Sequence, residues 1–123
     1  MHQITQKGNV IVTEILGVAN VEAVLHALRD IFSQPGYFEK NDIFIFSNEL
    51  FEVKVDELDL ITQYILQNFP TKPNPRKSAV VVPHGFNKAI VEVWASAAES
   101  LPYELKIFSD LKAAEDWTAD CIV

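Results

Sequence analysis

One cysteine in 123 residues, Cys121, cannot form an internal disulfide, and it excludes any zinc site built on paired cysteines. Its plain reading is a small apolar residue on a C-terminal helix. The four glycines, Gly8, Gly17, Gly36 and Gly85, stand singly, so there is no glycine-rich loop to cradle a phosphate. His2, His26 and His84 lack metal-site spacing, and no EF-hand spacing or loop glycine supports calcium. Neither a metal nor a cofactor is expected. No apolar run approaches the roughly 20 residues that a membrane helix needs. Bases are scarce too: ten against seventeen acids give a net charge of −7. Such a chain repels phosphate backbones and anionic membranes, which argues against nucleic-acid binding. "MHQITQKGNV" shows no charged start followed by an apolar run, so the expected setting is the cytoplasm.

What is present suits one globular domain. Apolar residues make up 49% and charged residues 22%, and 123 residues bury roughly two-thirds of the unfolded surface. "HQIT" and "VIVTEILGV" flank the turn signal "QKGN" and predict a β-hairpin. Asn20 then offers an N-cap for a helix whose inner stripe is Val21, Val24, Leu25, Leu28, Ile31 and Phe32. "QPGY" ends it. "DIFIF", Asp42 to Phe46, reads as a strand covered on both faces. A second helix is expected to be capped by Asp56, with Leu58, Ile61, Ile65 and Phe69 inward and Val55 and Leu60 as a hydrophobic staple.

The prolines of "PTKPNPRK" require a surface loop. "SAVVV", Ser78 to Val82, is the clearest buried strand, and "PHGF" breaks it. A third helix carries Phe86, Ile90, Val93, Trp94, Ala97 and Leu101 inward, and "YELKIF" is the last strand. Ser109 or Asp110 caps a final helix with Leu111, Ala114, Trp117 and Cys121 buried. The order β-β-α-β-α-β-α-β-α implies an α/β domain, a mixed but mostly parallel sheet packed with four helices.

That order resembles the STAS superfamily of sulfate transporters and anti-sigma-factor antagonists, and most closely its small bacterial SpoIIAA-like branch. The likeness rests on "KSAVVVP", on Gly85-Phe86 opening the third helix, and on Phe108, Asp110, Leu111, Ala114 and Trp117 in the closing unit. It implies a non-enzymatic, regulatory domain that binds a partner protein. The family's phosphorylated "D-S-S-G" motif falls on Lys54-Val55-Asp56-Glu57, with Asp56 in place of the modified serine. The hydroxyl and the glycine are both missing, while a carboxylate at a helix start could imitate the modified state.

Two sets of site residues follow. The acid-rich stretch "NELFEVKVDELD" suggests a partner surface using Phe51 and Val53 as apolar centre and Asp56 and Glu57 as rim. Phe51 and the edge strands also offer a route to a homodimer. The second set lies beyond the carboxyl ends of the parallel strands, where open sheets bind ligands: Ser47, Asn48, His84 and Asp110. They suggest a small-ligand or lipid pocket, with His84 titrating near neutral pH. A nucleophilic triad of Ser47, His84 and Asp110 is disfavoured, because "FIFSNEL" is not a nucleophile elbow.

Overall fold

The computed structural model describes residues 2–46, 52–69, 77–82, 92–93, 96, 99, 101 and 103–119. The hairpin forms where the turn signal lies. Strand β1 (His2–Lys7) and strand β2 (Val10–Ile15) pair antiparallel, with Lys7 opposite Val10 and a two-residue loop between them. Of the two loop residues only Gly8 takes a positive φ, 59°, as the first central residue of a type II′ turn does.

Helix α1 (Val21–Phe32) starts as the sequence predicts. Asn20 Oδ1 accepts from the Ala23 amide at 2.8 Å. Val24, Ala27, Leu28 and Ile31 are buried, so the inner stripe includes an alanine that the spacing alone leaves out. A 3-10 turn at Tyr37–Glu39 leads into β3 (Asn41–Phe46). Helix α2 (Val55–Asn68), β4 (Lys77–Val81), β5 (Glu104–Phe108) and helix α3 (Leu111–Ala119) complete the described elements.

The result is an α/β domain with a five-stranded mixed sheet in the order β1-β2-β3-β4-β5, parallel from β2 onward. Three α-helices are seen among the described residues. The expected helix from Phe86 to Leu101 falls largely outside them, although Glu92, Val93 and Ser96 carry helical backbone. Trp94 and the "PHGF" break also fall outside, as does the loop before Lys77.

A sequential parallel order has a direct consequence. Crossovers of one hand, each moving one strand along, must all lie on the same face. Val24 and Leu28 of α1, Leu58 and Ile65 of α2, and Val93 accordingly share one core with Ile11, Phe44 and Val80. The opposite face is smaller. Ile43, Ala79 and Val81 pack there on Ala114 of α3, with Val12, Ile45, Phe108 and Trp117 around them. The strand containing Ser78–Val81 lies between β3 and β5, so it is interior, as its composition requires.

Two sequence expectations fail at helix starts. Leu111, assigned to the inner stripe of the last helix, is 41% exposed, because the sheet contacts are made by Ala114 and Thr118 one turn later. Cys121 lies outside the described residues. Asp56 is not the cap of α2 either. The helix begins two residues earlier, with Lys54 at the cap and Glu57 Oε1 accepting from the Lys54 amide at 2.8 Å. The hydrophobic staple moves by the same two residues. Val53 and Leu58, both about 2% exposed, occupy its positions, while Val55 and Leu60 are left in water.

Candidate functional site

The parallel strands finish at the upper end of the sheet, the end at which open sheets bind ligands. The strands ending at Phe46, Val81 and Phe108 are neighbours, so the loops that carry Ser47, His84 and Asp110 start side by side. Ser47, Asn48 and His84 themselves lie outside the described residues. Asp110 is accounted for by local structure. Its two carboxylate oxygens accept from the amides of Lys112 and Ala113, each at 3.3 Å, and cap α3. That satisfies free donors of the first turn and is worth about 1 kcal/mol.

The partner surface proposed around the start of α2 divides in two. Phe51 is outside the described residues. Val53 is buried in the main core and cannot be an accessible apolar centre. The two-residue shift of the helix start explains why: the side chain assigned to the surface is the one that the staple draws inward. Asp56 is exposed, and Glu57 is half-buried and engaged in the cap.

In place of Val53 the structure presents other apolar groups. Val55 is 54% exposed and Leu60 56%, and Asp56 and Asp59 stand exposed beside them on the helix. The segment before α2 is tied to the loop after β2 by Glu52 N–H donating to the Ala19 carbonyl at 2.9 Å. The neighbouring Val18 is 39% exposed. Five residues apart, Val55 and Leu60 stand roughly 140° from each other around the helix, with Asp56 and Asp59 between them on its exposed side.

The lower end, where the strands begin, carries groups that the sequence did not single out. Asp42 and Ser78 open β3 and β4 and sit opposite each other in register, 3% and 5% exposed. The buried Tyr37 hydroxyl donates to Asp42 Oδ2 at 3.3 Å. Phe32 touches Tyr37, Phe38, Tyr64 and Phe69 with ring centroids 5.4 to 5.9 Å away, and Phe69 in turn meets Tyr103 at 5.0 Å. Between this aromatic group, α2 and the sheet lies a cavity of about 80 Å³. Leu28, Phe44, Ile61 and Ile65 contribute to its apolar wall, and Asp42 and Ser78 supply polar groups.

On the other face, Asn41 joins three elements. Its Nδ2 donates to the Thr118 carbonyl and its Oδ1 accepts from the Lys77 amide, both at 2.8 Å. Lys77 Nζ donates to the Trp117 carbonyl at 3.2 Å and lies 5.0 Å from the indole centroid. Among the described residues, no three His, Cys, Asp or Glu side chains gather to hold a metal ion, and no helix is long and apolar enough to cross a membrane.

The signal for the lower site was present in outline. Both β3 and β4 open on small polar residues before an apolar run, and parallel strands in register bring such residues together. Only the register turns that hint into a contact. The chain was compared with protein-family models, with curated proteins and with solved structures, and it matches none of them.

Proposed function

We propose that the chain is a non-enzymatic binding module that docks a protein partner on the exposed start of α2. The observation that most supports this is that Val55 and Leu60 are both more than half exposed on a helix that buries Leu58, Ile61 and Ile65. Interfaces concentrate their binding energy in a desolvated apolar centre with a polar rim. Val55 and Leu60 supply two apolar anchors, and Asp56 and Asp59 the charges that lie between them on the exposed side of the helix. The fitting partner presents an aliphatic or aromatic anchor surrounded by lysine or arginine. A net charge of −7 would steer such a partner into encounter. The same charge opposes a homodimer through this surface, because two copies would set like charges face to face.

The resemblance to STAS domains points to the same region by a separate route, since the switch motif of that family aligns on Lys54 to Glu57. Asp56 holds a permanent charge there, so a contact at this position would be regulated by partner abundance and not by phosphorylation. Fold resemblance does not itself carry activity. The test is affinity capture with the native chain and the double variant Asp56→Lys/Leu60→Gln. Binding of a captured partner should weaken by at least tenfold in the variant and fall with rising salt for the native chain. A partner set retained unchanged by the variant, with its fold intact by circular dichroism, would remove this surface.

A further inference from the structure

We infer that β1 is a self-association edge, on which a second copy of this chain adds its own β1, antiparallel, about a two-fold axis normal to the sheet. The strand stands first of the five and is paired on one side only among the described residues. An open strand edge is a row of unmet N–H and C=O groups, which proteins blunt with charge, proline or a bulge. The other outer strand, β5, carries exposed Glu104 and Lys106. From His2 to Gln6, β1 has no such device. Its register with β2 is unbroken, and Gln3, Thr5 and Gln6 are neutral and exposed. The chain holds seventeen acids, and none of them is in β1.

The hairpin decides which groups point outward. Lys7 and Val10 flank the two-residue loop, so they exchange both backbone hydrogen bonds, and the pairs alternate from there. Lys7, Thr5 and Gln3 therefore bond to β2, while Gln6, Ile4 and His2 turn their amides and carbonyls to the open edge. A two-fold axis normal to the sheet keeps each side chain on its own face, and directly opposed side chains share a face. The register centred on Ile4 meets this condition and gives every outward group from His2 to Gln6 a partner. It sets Ile4 against Ile4, Gln3 against Thr5 and His2 against Gln6. The half-buried Ile4 then loses water, and an amide side chain meets a hydroxyl. His2 is already held to α1 by its 2.7 Å contact with Asp30, which fixes that end of the edge. Charge also fits. Lys7 of one copy arrives at the end of the sheet where Glu14, opposite Gln3 in β2, lies on the same face of the other. Unlike charges therefore stand across one strand, where the α2 surface would set acid against acid.

This edge is independent of the α2 surface, and its test needs no partner protein. One strand edge is a small interface, so the native chain is examined at about 0.5 mM, where light scattering should give twice the mass of one chain. In amide-resolved hydrogen exchange, the Ile4 and Gln6 amides should exchange at least threefold more slowly there than at about 5 μM. Gln6→Pro removes an outward N–H without touching the ladder to β2, and should weaken the dimer at least tenfold. Gln6→Ala keeps that N–H and should stay within threefold of the native chain. A monomer at about 0.5 mM, a dimer that tolerates Gln6→Pro, or slowed exchange confined to amides outside β1 would overturn the inference. Mass and exchange are read on the native chain, so they decide the matter even if Gln6→Pro fails to fold.

Discussion

Where the parallel strands finish, Asp110 stands in water and Glu57 at its edge, and both satisfy the first turn of a helix. Where the strands begin, Asn41, Asp42 and Ser78 are all within 5% of complete burial, Asn41 against α3 and the other two on the face that carries a group of six aromatic rings. The difference is one of desolvation. A polar group at an exposed helix start loses little by giving up its partner, because water replaces it. A buried one must keep its hydrogen bonds or bear a penalty of about 1–3 kcal/mol for each group left unpaired. Polar residues at the upper end therefore read as local punctuation, while those at the lower end hold elements together.

The largest effect that this comparison predicts is at the aromatic group. Phe32→Ala removes a ring that meets four others and separates the ends of α1 and α2. A loss of about 3 kcal/mol is expected in denaturant unfolding, near the lower bound for phenylalanine truncation because Phe32 is only half-buried. A loss under 1 kcal/mol would mean that the rings are a surface decoration and not a closing layer.

Asn41→Ala and Asp110→Ala test the same contrast with polar side chains. Both side chains bond to backbone: Asn41 to the Thr118 carbonyl near the end of α3 and to the Lys77 amide of β4, and Asp110 to the Lys112 and Ala113 amides at the start of α3. The Asn41 bonds are buried or half-buried at 2.8 Å, and the Asp110 bonds are exposed at 3.3 Å. Removing Asn41 should cost about 2–3 kcal/mol and Asp110 about 1 kcal/mol or less. Equal costs would show that burial does not separate the two ends.

Much of the fold follows from spacing that is plain in the chain. Asn20 before a three-and-four repeat marks α1, Gly8-Asn9 marks the hairpin, and the uninterrupted run from Ala79 marks an interior strand. Helix starts were less legible, because capping preference ranks residues by side chain alone. Aspartate outranks lysine as a cap, yet Lys54 holds the position through the reach of Glu57 back to its amide. A cap at Asp56 would draw Val55 and Leu60 inward, whereas a cap at Lys54 draws in Val53 and Leu58. The lower site was hidden for another reason. Tyr37 lies in a segment that reads as a breaker, Asp42 opens a strand, and Ser78 is 36 residues further on, so their meeting depends on sheet register, to which no local pattern refers.

The smallest predicted effect concerns a residue between the two ends. Thr13 lies in the middle of β2, opposite Ile4 and Phe44, and is completely buried on the face that α1 covers. Its Oγ1 has no hydrogen-bond partner, so the hydroxyl has lost water and gained nothing in exchange. Valine places a methyl where the hydroxyl lies and keeps the branched shape that suits a strand. Thr13→Val should therefore stabilise the protein, by up to about 1 kcal/mol, seen as a rise of a few degrees in Tm. Destabilisation would mean that the hydroxyl is hydrogen-bonded in solution. The contrast between polar groups that water can relieve and buried groups that must be paired would then extend from the strand ends into the middle of the sheet.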